Sequence, residues 1–593
     1  MLPAVRLEAV DTELIDEPLV NLSADATSAQ GRWMSLALRG DGRGRAWFEG
    51  GSYENDYVRE AAIWKIAAVH YFPLFAGDYA DGWINAGGGD LGRMPFHFTP
   101  DDTGTPVPAA TGPAPATGST LAAVRKRIDA LNDEDAVRNL QNAFGYYVDR
   151  RMWDDVVDLF ATDCAVELGG QLRRGPAGVR AAMAVMGPAG LTHGVLNEHP
   201  LFDTIVAIRP GGREAESRGI ELAMLGDADQ GAASWQVNVF RNRFVNDDGI
   251  WKFAELRVYP LMDAQYATGW GDGALPGQST PMLVDFLGPN PVTGQPVATL
   301  DYSVAAAEPL VAVTPAVPAV PSIPSDDLAD ARRRYSRSLA YEGTDNVSAA
   351  YGYYIDDFQW PQLADIMARE GNKQSPFAGY YLGRDRIRGA ATAMWGEPPP
   401  MRSAISFHWR TQSVIHVSHD GRSANLRTRL FQPRTAKDPT VTPIGFYMGG
   451  LHGGMYPNDQ AVLEDGVWRL WSLTIDEHYF YMPTWKAGWS GARDPEPGTA
   501  ARPSPLLSKY PPDILLTDLG RRQEGFRGGT GTTIDWPGIL PMWFCYRNPV
   551  SGRVPERYWP DCVPSEKVPE ASLTRHGYQM PPTGPEVDGL DRA

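Results

Sequence analysis

Cysteine is nearly absent from this chain of 593 residues, with copies only at Cys164, Cys545 and Cys562. Three cysteines are too few for a disulfide scaffold or a cysteine-rich zinc site. Long apolar runs are also missing, since no stretch reaches the roughly 18 uninterrupted apolar residues of a membrane span. The first 20 residues lack the basic start and apolar run of a signal peptide. These absences predict a cytoplasmic protein.

Basic residues are in deficit, with 54 Lys and Arg against 72 Asp and Glu and a net charge of −18. A field of this sign repels phosphate backbones and anionic lipids, which argues against nucleic acid and membrane partners. His416 and His419 are three residues apart, so on a strand their imidazoles face opposite sides and make a poor metal site. We therefore expect no metal and no cofactor.

Tryptophan, by contrast, is abundant, with 18 copies, and it marks an internal repeat. Three segments begin with an apolar residue, Trp and a basic residue, and end in Gly-Trp. They run from Trp64 to Trp83, from Trp251 to Trp270 and from Trp468 to Trp489. Alternating apolar and polar residues on either side of turns such as 246–249 predict a hairpin of two antiparallel strands in each segment.

The second and third copies also share an upstream half. Phe144–Asp149 precedes Trp153 just as Tyr351–Asp356 precedes Trp360, and apolar residues before these motifs recur at helical spacing. The predicted N-caps of these helices are Asn132 or Asp133 in one copy and Thr344 or Asp345 in the other. Shorter helices follow from Trp153 and Trp360, and again after 175 and 383. Helices first and strands after indicate the α+β class.

We divide the chain at its Pro- and Gly-rich segments. The predicted parts are a partial unit (1–99), a linker (100–125), a full unit (126–302), a linker (303–330), a full unit (331–500) and a loop-rich extension (501–593). The units are called one, two and three below. Because Glu17-Pro18 aligns with His199-Pro200, unit one is predicted to hold the strand half only. Either its start codon is assigned too late or another segment covers its exposed sheet.

The Tyr-x-Asp-x3-Trp motif, the run Leu159–Asp163, the run Gly383–Arg388 and the terminal Asp465–Leu470 resemble SnoaL-like proteins. The resemblance implies the nuclear transport factor 2-like fold, in which a curved antiparallel sheet wraps N-terminal helices into a cone. We therefore expect repeated cone-shaped units with loop-rich tails. The fold alone does not define an activity, because it hosts cyclases, dehydratases, isomerases, lyases and non-catalytic modules.

Scytalone dehydratase, a relative by fold, uses tyrosines, a helix aspartate and histidines that face the cone. The resemblance implies the same roles for the matching positions here, which are Asp149, Tyr146 and Tyr147 in unit two and Asp356, Tyr353 and Tyr354 in unit three. Spacing does not decide which tyrosine of each pair faces inward. The alternative is that the tyrosines are core residues and the aspartates cap the helix ends.

A histidine lies at the start of the first long strand predicted after the third helix in both full units. His193 and His408 are predicted to face their cones, with Asn197 and Gln412 four residues later on the same strand face. Histidine transfers protons near neutral pH, and an amide polarises a carbonyl. Trp235 is a further candidate for ligand contact.

These residues predict a cofactor-independent lyase or dehydratase acting on a small apolar or aromatic molecule by Asp/His/Tyr acid–base chemistry. The alternative is a non-catalytic module that binds small molecules or serves assembly. Units two and three are expected to pack sheet to sheet as an internal pseudo-dimer, with homo-oligomerisation as a further option.

Overall fold

A computed structural model describes residues 9–110, 118–273, 275, 288–295, 328–375, 378–440, 447–494, 503–519, 536–555 and 557–558. These ranges form α+β units whose large sheets have six, seven and nine strands. None of the helices in the described ranges is long and apolar enough to cross a membrane.

Unit one is built from strands. They are β1 (Val10–Leu22), β2 (Ser28–Gly40), β3 (Ala46–Glu60), β4 (Ile63–Ala68), β5 (Tyr71–Asp78), β6 (Ile84–Asn85) and β7 (Leu91–Gly92), followed by the single-turn helix α1 (Pro100–Thr103). The sheet has the order β1-β2-β3-β5-β6, and β4 also pairs with β3. No helix of this unit lies on its sheet in the described chain.

Unit two begins with helices and continues with a sheet. Its elements are α2 (Leu121–Asp149), α3 (Trp153–Asp158), β8 (Phe160–Leu168), β9 (Gln171–Arg174), α4 (Gly175–Met183), β10 (Val195–Glu198), β11 (Leu201–Ile208), β12 (Glu214–Asp227), β13 (Ala232–Asp247) and β14 (Ile250–Gln265). The sheet order is β10-β12-β13-β14-β8-β9, and β11 pairs with β12. The hairpin predicted around 246–249 is confirmed as β13–β14.

Unit three repeats this order. Its elements are α5 (Leu328–Asp356), α6 (Trp360–Asp365), β15 (Met367–Ser375), β16 (Gly379–Leu382), α7 (Arg384–Trp395), β17 (Met401–Arg402), β18 (Ala404–Ser406), β19 (Trp409–Val417), β20 (Ser423–Ala436), β21 (Leu451–Glu464), β22 (Val467–Leu473) and β23 (Asp476–Tyr481). Farther along the chain lie α8 (Leu506–Lys509) and β24 (Ile514–Leu515), and β24 extends the sheet by pairing with β16.

The predicted N-caps are wrong, because both long helices start well before them. α2 starts after Thr120, whose hydroxyl accepts the N–H of Ala123 at 3.2 Å. Asn132 instead lies in mid-helix and donates to the carbonyl of Arg334 on α5 at 3.1 Å. Polar residues in the middle of α2 therefore mark a contact between two helices rather than a helix start.

The three units form a ring, closed by hydrogen bonds among the aromatic residues that lie four positions before the Trp of each Gly-Trp pair, in which each side chain donates to a main-chain carbonyl. The Tyr79 hydroxyl donates to the carbonyl of Tyr266 at 2.5 Å, and the Tyr266 hydroxyl donates to that of Trp485 at 2.6 Å. The Trp485 indole donates back to the carbonyl of Tyr79 at 2.6 Å. Each unit thus donates to one neighbour and accepts from the other.

The repeated Gly-Trp tryptophans are buried and link the units in the opposite cyclic direction. Each indole donates to a carbonyl of another unit at 2.8 Å: Trp83 to Arg434, Trp270 to Arg39 and Trp489 to Leu225. Aromatic rings from all three units meet at this junction. The ring centroid of Phe48 lies 5.0 Å from that of Trp270 and 5.3 Å from that of Trp485. The tryptophans that mark the repeat in the sequence therefore hold the repeats together.

The first long strand of each unit carries a bulge at an equivalent position. Glu17, Asp203 and Gln412 have φ of 55°, 54° and 57°, and the strand register shifts at each of them. A bulge re-aims its side chain, and each side-chain oxygen accepts a main-chain N–H from a neighbouring unit. The pairs are Arg410 N–H to Glu17 at 2.9 Å, Ile15 N–H to Asp203 at 3.1 Å and Leu201 N–H to Gln412 at 3.2 Å.

These bulges correct the alignment of unit one. Glu17 is equivalent to Asp203 and not to His199, because the register shift falls at Glu17 in β1 and at Asp203 in β11. The sequence alignment was therefore displaced by four residues. A displacement of four preserves the strand's alternation of faces, so the apolar pattern did not reveal it.

The predicted sheet-to-sheet pseudo-dimer is also wrong. Units two and three meet through α2, which packs on α5 and on β19. Asn139 of α2 donates to the carbonyl of Ile415 at 2.6 Å and accepts its N–H at 2.9 Å. Asn346 of α5 makes the same pair of bonds with Val20 of unit one, at 2.8 and 3.2 Å. The long helix of one unit thus docks on the first long strand of the next.

Candidate active site

A cavity of about 1090 Å³ lies in unit two between α2, α4 and the sheet. A cavity of this size accommodates a small organic molecule. Most of its wall is apolar, including Phe144, Val148, Met183, Leu196, Leu256 and Met262. Its polar lining includes Arg151, Asn197, His199, Glu221, Gln236 and Asn238.

Three of these polar residues form a chain of contacts: Glu221 and Asn238 lie on the adjacent strands β12 and β13, and His199 lies in the connection between β10 and β11. His199 Nδ1 lies 3.2 Å from Glu221 Oε1. Asn238 Nδ2 donates to the same Glu221 oxygen at 2.8 Å. Glu221 lies opposite Leu201 and Asn238 in the sheet register, so the pairing of β11, β12 and β13 fixes the group. Nε2 of His199 is buried and has no hydrogen-bond partner among the described residues.

The charges of this group are coupled. Burial lowers the pKa of His199, but the nearby Glu221 carboxylate, with Asp149 and Glu198, outweighs burial and raises it above its ordinary value. Burial likewise raises the pKa of Glu221, and the His199 interaction outweighs this, so that the pKa is lowered. An ionised Glu221 that faces Nδ1 favours the proton on that nitrogen and leaves Nε2 to exchange a proton with a ligand.

Asp149 does not line this cavity but supports His199 from behind. Its Oδ1 accepts the His199 main-chain N–H at 2.7 Å. Its Oδ2 forms a buried ion pair with Arg429 of unit three, and Arg429 also pairs with Glu198. Asp149 is therefore a positioning residue, held by a cation that the neighbouring unit supplies.

His193 is placed differently from the prediction. It lies in the turn before β10 rather than on a strand, and its side chain is 44% exposed. Nδ1 contacts Asp229 at 2.9 Å and Nε2 contacts Asp494 at 3.0 Å, and these hydrogen bonds raise the pKa of His193. Gly194, with φ of 78°, turns the chain between His193 and β10, so His193 and Asn197 do not share a strand face.

Asn197 does line the cavity, as the prediction for a ligand-binding residue requires. Its Nδ2 donates to the carbonyl of Val148 at 3.0 Å. Its Oδ1 accepts from Arg151 at 3.2 Å and so orients that guanidinium at the cavity wall. Burial lowers the pKa of Arg151.

The tyrosines and Trp235 of unit two serve packing between units. The Tyr146 hydroxyl donates to the carbonyl of Gln412 at 2.7 Å. Tyr147 packs against Phe544, with ring centroids 5.5 Å apart. Trp235 donates to the Tyr79 hydroxyl at 3.0 Å within the aromatic junction. None of the three is part of the cavity lining.

Unit three brings together the predicted pair of Asp356 and His408. His408 Nδ1 lies 2.9 Å from Asp356 Oδ1, and the His408 main-chain N–H donates to Oδ2 at 3.1 Å. Burial raises the pKa of Asp356 against the opposing effect of His408. The structural counterpart of His408 is therefore His199, which the sequence comparison overlooked in favour of His193.

The rest of unit three differs from unit two. By strand register, the counterparts of Glu221 and Asn238 are Leu430 and Gly454. Arg410 fills the space between α5 and β21, where it forms a buried ion pair with Asp459 and lies 3.8 Å from the Tyr456 ring. Arg410 therefore lies at the strand position that Leu201 occupies in unit two, with its charge paired inside unit three.

The remaining unit-three candidates also lie in contacts between parts of the chain. The bulge turns Gln412 toward unit two, where its Nε2 donates to the carbonyl of Asn142 at 2.9 Å. The expectation that Gln412 shares a face with His408 is therefore wrong. The Tyr353 hydroxyl donates to the carbonyl of Glu17 at 2.5 Å. Tyr354 stacks on Phe96 at 5.2 Å.

A model of the SnoaL-like domain family matches residues 4–70, 129–257 and 336–474, more than half of the chain. The chain therefore belongs to the SnoaL-like family and contains three copies of the domain, the first of them partial. The matched ranges coincide with the three sheets described above. No curated protein is similar enough to be matched to this chain.

Several solved structures are similar to single units. One is titled a putative scytalone dehydratase from Novosphingobium aromaticivorans, with 18% identity, a TM-score of 0.22 and coverage of 26% of this chain and 97% of that chain. Another is a type 2 hexachlorocyclohexane dehydrochlorinase, with 19% identity, a TM-score of 0.22 and coverage of 26% and 99%. A type 3 dehydrochlorinase from Novosphingobium barchaimii has 17% identity, a TM-score of 0.21 and coverage of 26% and 96%.

Proposed function

We propose that unit two is a cofactor-independent lyase of the dehydratase type, and that units one and three are its scaffold. The observation that carries this proposal is the group of His199, Glu221 and Asn238 in the wall of a largely apolar cavity of about 1090 Å³. The substrate class that fits is a small, mainly apolar or aromatic molecule with a carbonyl group and a hydroxyl β to it.

In the proposed step, Nε2 of neutral His199 removes the proton from the carbon next to the carbonyl. The electrons of that C–H bond form the new carbon–carbon double bond, and the C–O bond of the hydroxyl breaks. The imidazolium returns its proton to the departing oxygen, which leaves as water. Glu221 stabilises the transient imidazolium, and Arg151 is placed to stabilise negative charge on the carbonyl oxygen.

The test is proton–deuterium exchange at the acidic carbon of a panel of small β-hydroxy carbonyl compounds in D₂O, followed by NMR. His199→Gln should lower the exchange and elimination rates roughly 10²–10⁴-fold, the usual weight of one positioned proton-transfer group. His193→Gln is the matched control in the same unit and should leave both rates unchanged. Equal rates in the His199 variant and the wild type would exclude His199 as the base.

The same experiment separates catalysis from binding without chemistry. A binding module would hold the panel compounds in the cavity but would not increase their exchange rate. His199→Gln would then change only their affinity. Exchange that depends on His199 supports the lyase.

A further inference from the structure

The ring of three units contains one vacant helix position. α2 of unit two docks on β19 of unit three and α5 of unit three docks on β1 of unit one, but β11 is packed only by α2 of its own unit and by no described helix of a neighbouring unit. In the two occupied positions, the asparagine of the docked helix bonds the main chain of Ile415 or Val20, three residues after the bulge of the strand. Val206 is the equivalent residue of β11, because it lies three residues after the bulge at Asp203. Its edge-facing N–H and carbonyl are where an asparagine of a third helix would bind.

Burial at the neighbouring apolar position supports this vacancy. Two residues after the bulge, Leu19 is 0% exposed and Val414 is 1% exposed, each beneath the helix of another unit. The counterpart on β11, Ile205, is 59% exposed. The same strand position is therefore apolar in all three units but covered in only two.

The sheet of unit one is also exposed where a long helix of its own unit would cover it. Trp251 and Trp468 are 5% and 4% exposed because the long helices of their own units cover them, whereas Trp64 is 37% exposed. Two residues later, Phe253 and Leu470 are both 0% exposed, and Ile66 is 62% exposed. Both surfaces that a long helix of unit one would cover are thus open.

The described long helices of residues 1–593 are not free to fill this position. α2 and α5 each contribute an Asn and, seven residues later, a Tyr to their docking sites, and both helices are already placed in the ring. None of the segments outside the described ranges contains an asparagine. In a second copy of the chain, α2 and α5 are likewise already placed in its own ring.

Charge at the vacancy defines the occupant further. A cavity of about 420 Å³ between β1, β11 and the two long helices is lined by five carboxylates and two arginines. The carboxylates are Asp16, Glu17, Asp203, Glu342 and Asp345, and the arginines are Arg138 and Arg410. Arg138 directly precedes Asn139 on α2, so a basic residue at that helix position faces this cavity. An occupant with a basic residue there would reduce the negative surplus.

We propose that this face binds the helical half of a SnoaL-like unit that lies outside residues 1–593. The binding helix has a basic residue followed by Asn, with Tyr seven residues after that Asn. Its Asn bonds the main chain of Val206, and its Tyr hydroxyl bonds the carbonyl of Asp203. Its apolar face covers Trp64, Ile66 and Ile205. The inference is independent of the proposed lyase activity.

The test uses the full chain and a fluorescein-labelled synthetic peptide with the sequence 121–149, which carries Arg138, Asn139 and Tyr146. Saturable binding of one peptide per chain is expected by fluorescence anisotropy. Asn139→Ala and Tyr146→Phe in the peptide should each weaken binding roughly two- to tenfold, the usual weight of lost hydrogen bonds. Ile205→Asp in the chain should weaken it at least tenfold, because it places a charge in an apolar contact.

Leu172→Asp, which changes an exposed leucine on β9 of the same unit, is the matched control and should leave the peptide affinity unchanged. Absence of peptide binding, or binding that Ile205→Asp does not alter, overturns the proposal. Self-association of the chain that Ile205→Asp abolishes would make a second copy the occupant and would also overturn it.

Discussion

Arg429→Met removes the cation that unit three places between two buried carboxylates of unit two. In the wild type, the guanidinium pairs with both Asp149 and Glu198. Burial, followed by the charge of Asp149, raises the pKa of Glu198 to about 7 even with Arg429 present. Methionine fills a similar length with no charge, so both carboxyl groups must stay buried without a counterion.

We expect the variant to lose about 3–5 kcal/mol of unfolding free energy at pH 8, the range found when one partner of a buried ion pair is removed. The loss should shrink as the pH falls from 8 to 5. Without Arg429 the pKa of Glu198 rises further in the folded state, so that state binds more protons than the unfolded chain over this range. Stability contributed by such groups is present at low pH and is lost as the pH rises through their folded pKa values.

The assay is urea unfolding of wild type and variant at pH 8, 6.5 and 5, followed by tryptophan fluorescence. Arg427→Met, two residues away on β20, is the matched control. Arg427 donates to the carbonyl of Trp543 and lies 4.6 Å from the Tyr146 ring, so its loss should be independent of pH. The reasoning is refuted if Arg429→Met matches the wild type at pH 8, or if its deficit stays constant down to pH 5.

Three further predictions concern other parts of the molecule. Glu221→Gln should lower the pKa of His199, because it removes the main charge that raises it; NMR titration of the imidazole measures this, and an unchanged pKa would contradict the assigned pairing. The pKa of His193 is raised by its contacts with Asp229 and Asp494, so these contacts stabilise the fold below the ordinary pKa of histidine and lose that effect as the pH rises through the raised value. The melting temperatures of His193→Gln and wild type should therefore converge toward high pH. A constant difference between them would disprove this. Residues 1–95 expressed alone should not give a soluble, cooperatively melting protein, because they expose the Tyr79 and Trp83 junction as well as an uncovered sheet; scanning calorimetry of the soluble fraction checks it.

Much of the fold follows from the sequence, because the repeat and its order of elements are written in local patterns. Tryptophan spacing, alternation around 246–249 and the helical period before Asp149 and Asp356 depend only on which face of an element is apolar. Those patterns suffice to recognise two full SnoaL-like units and a partial one.

The strand register required the tertiary structure. A displacement of four residues leaves the alternation of apolar and polar residues unchanged, so the displaced alignment of Glu17 looked as regular as the correct one. For the same reason, the sequence did not identify His199 as the equivalent of His408. Both histidines lie four residues before the bulge of their unit. A signal for Glu221 was present, since it is the single acidic residue in the apolar run 219–224, but its partner lies on another strand.

What the sequence by itself determined is the repeated α+β unit and the residue types available for proton transfer. Only the tertiary structure decided that the three units close into a ring and that Asp149 is held by Arg429 of another unit. It also placed Glu221 and Asn238 in the wall of the unit-two cavity, while unit three has Leu430 and Gly454 at the equivalent positions. The physical reason is that contacts within one element repeat at 2.0 or 3.6 residues, whereas contacts between units join residues hundreds of positions apart that share no period.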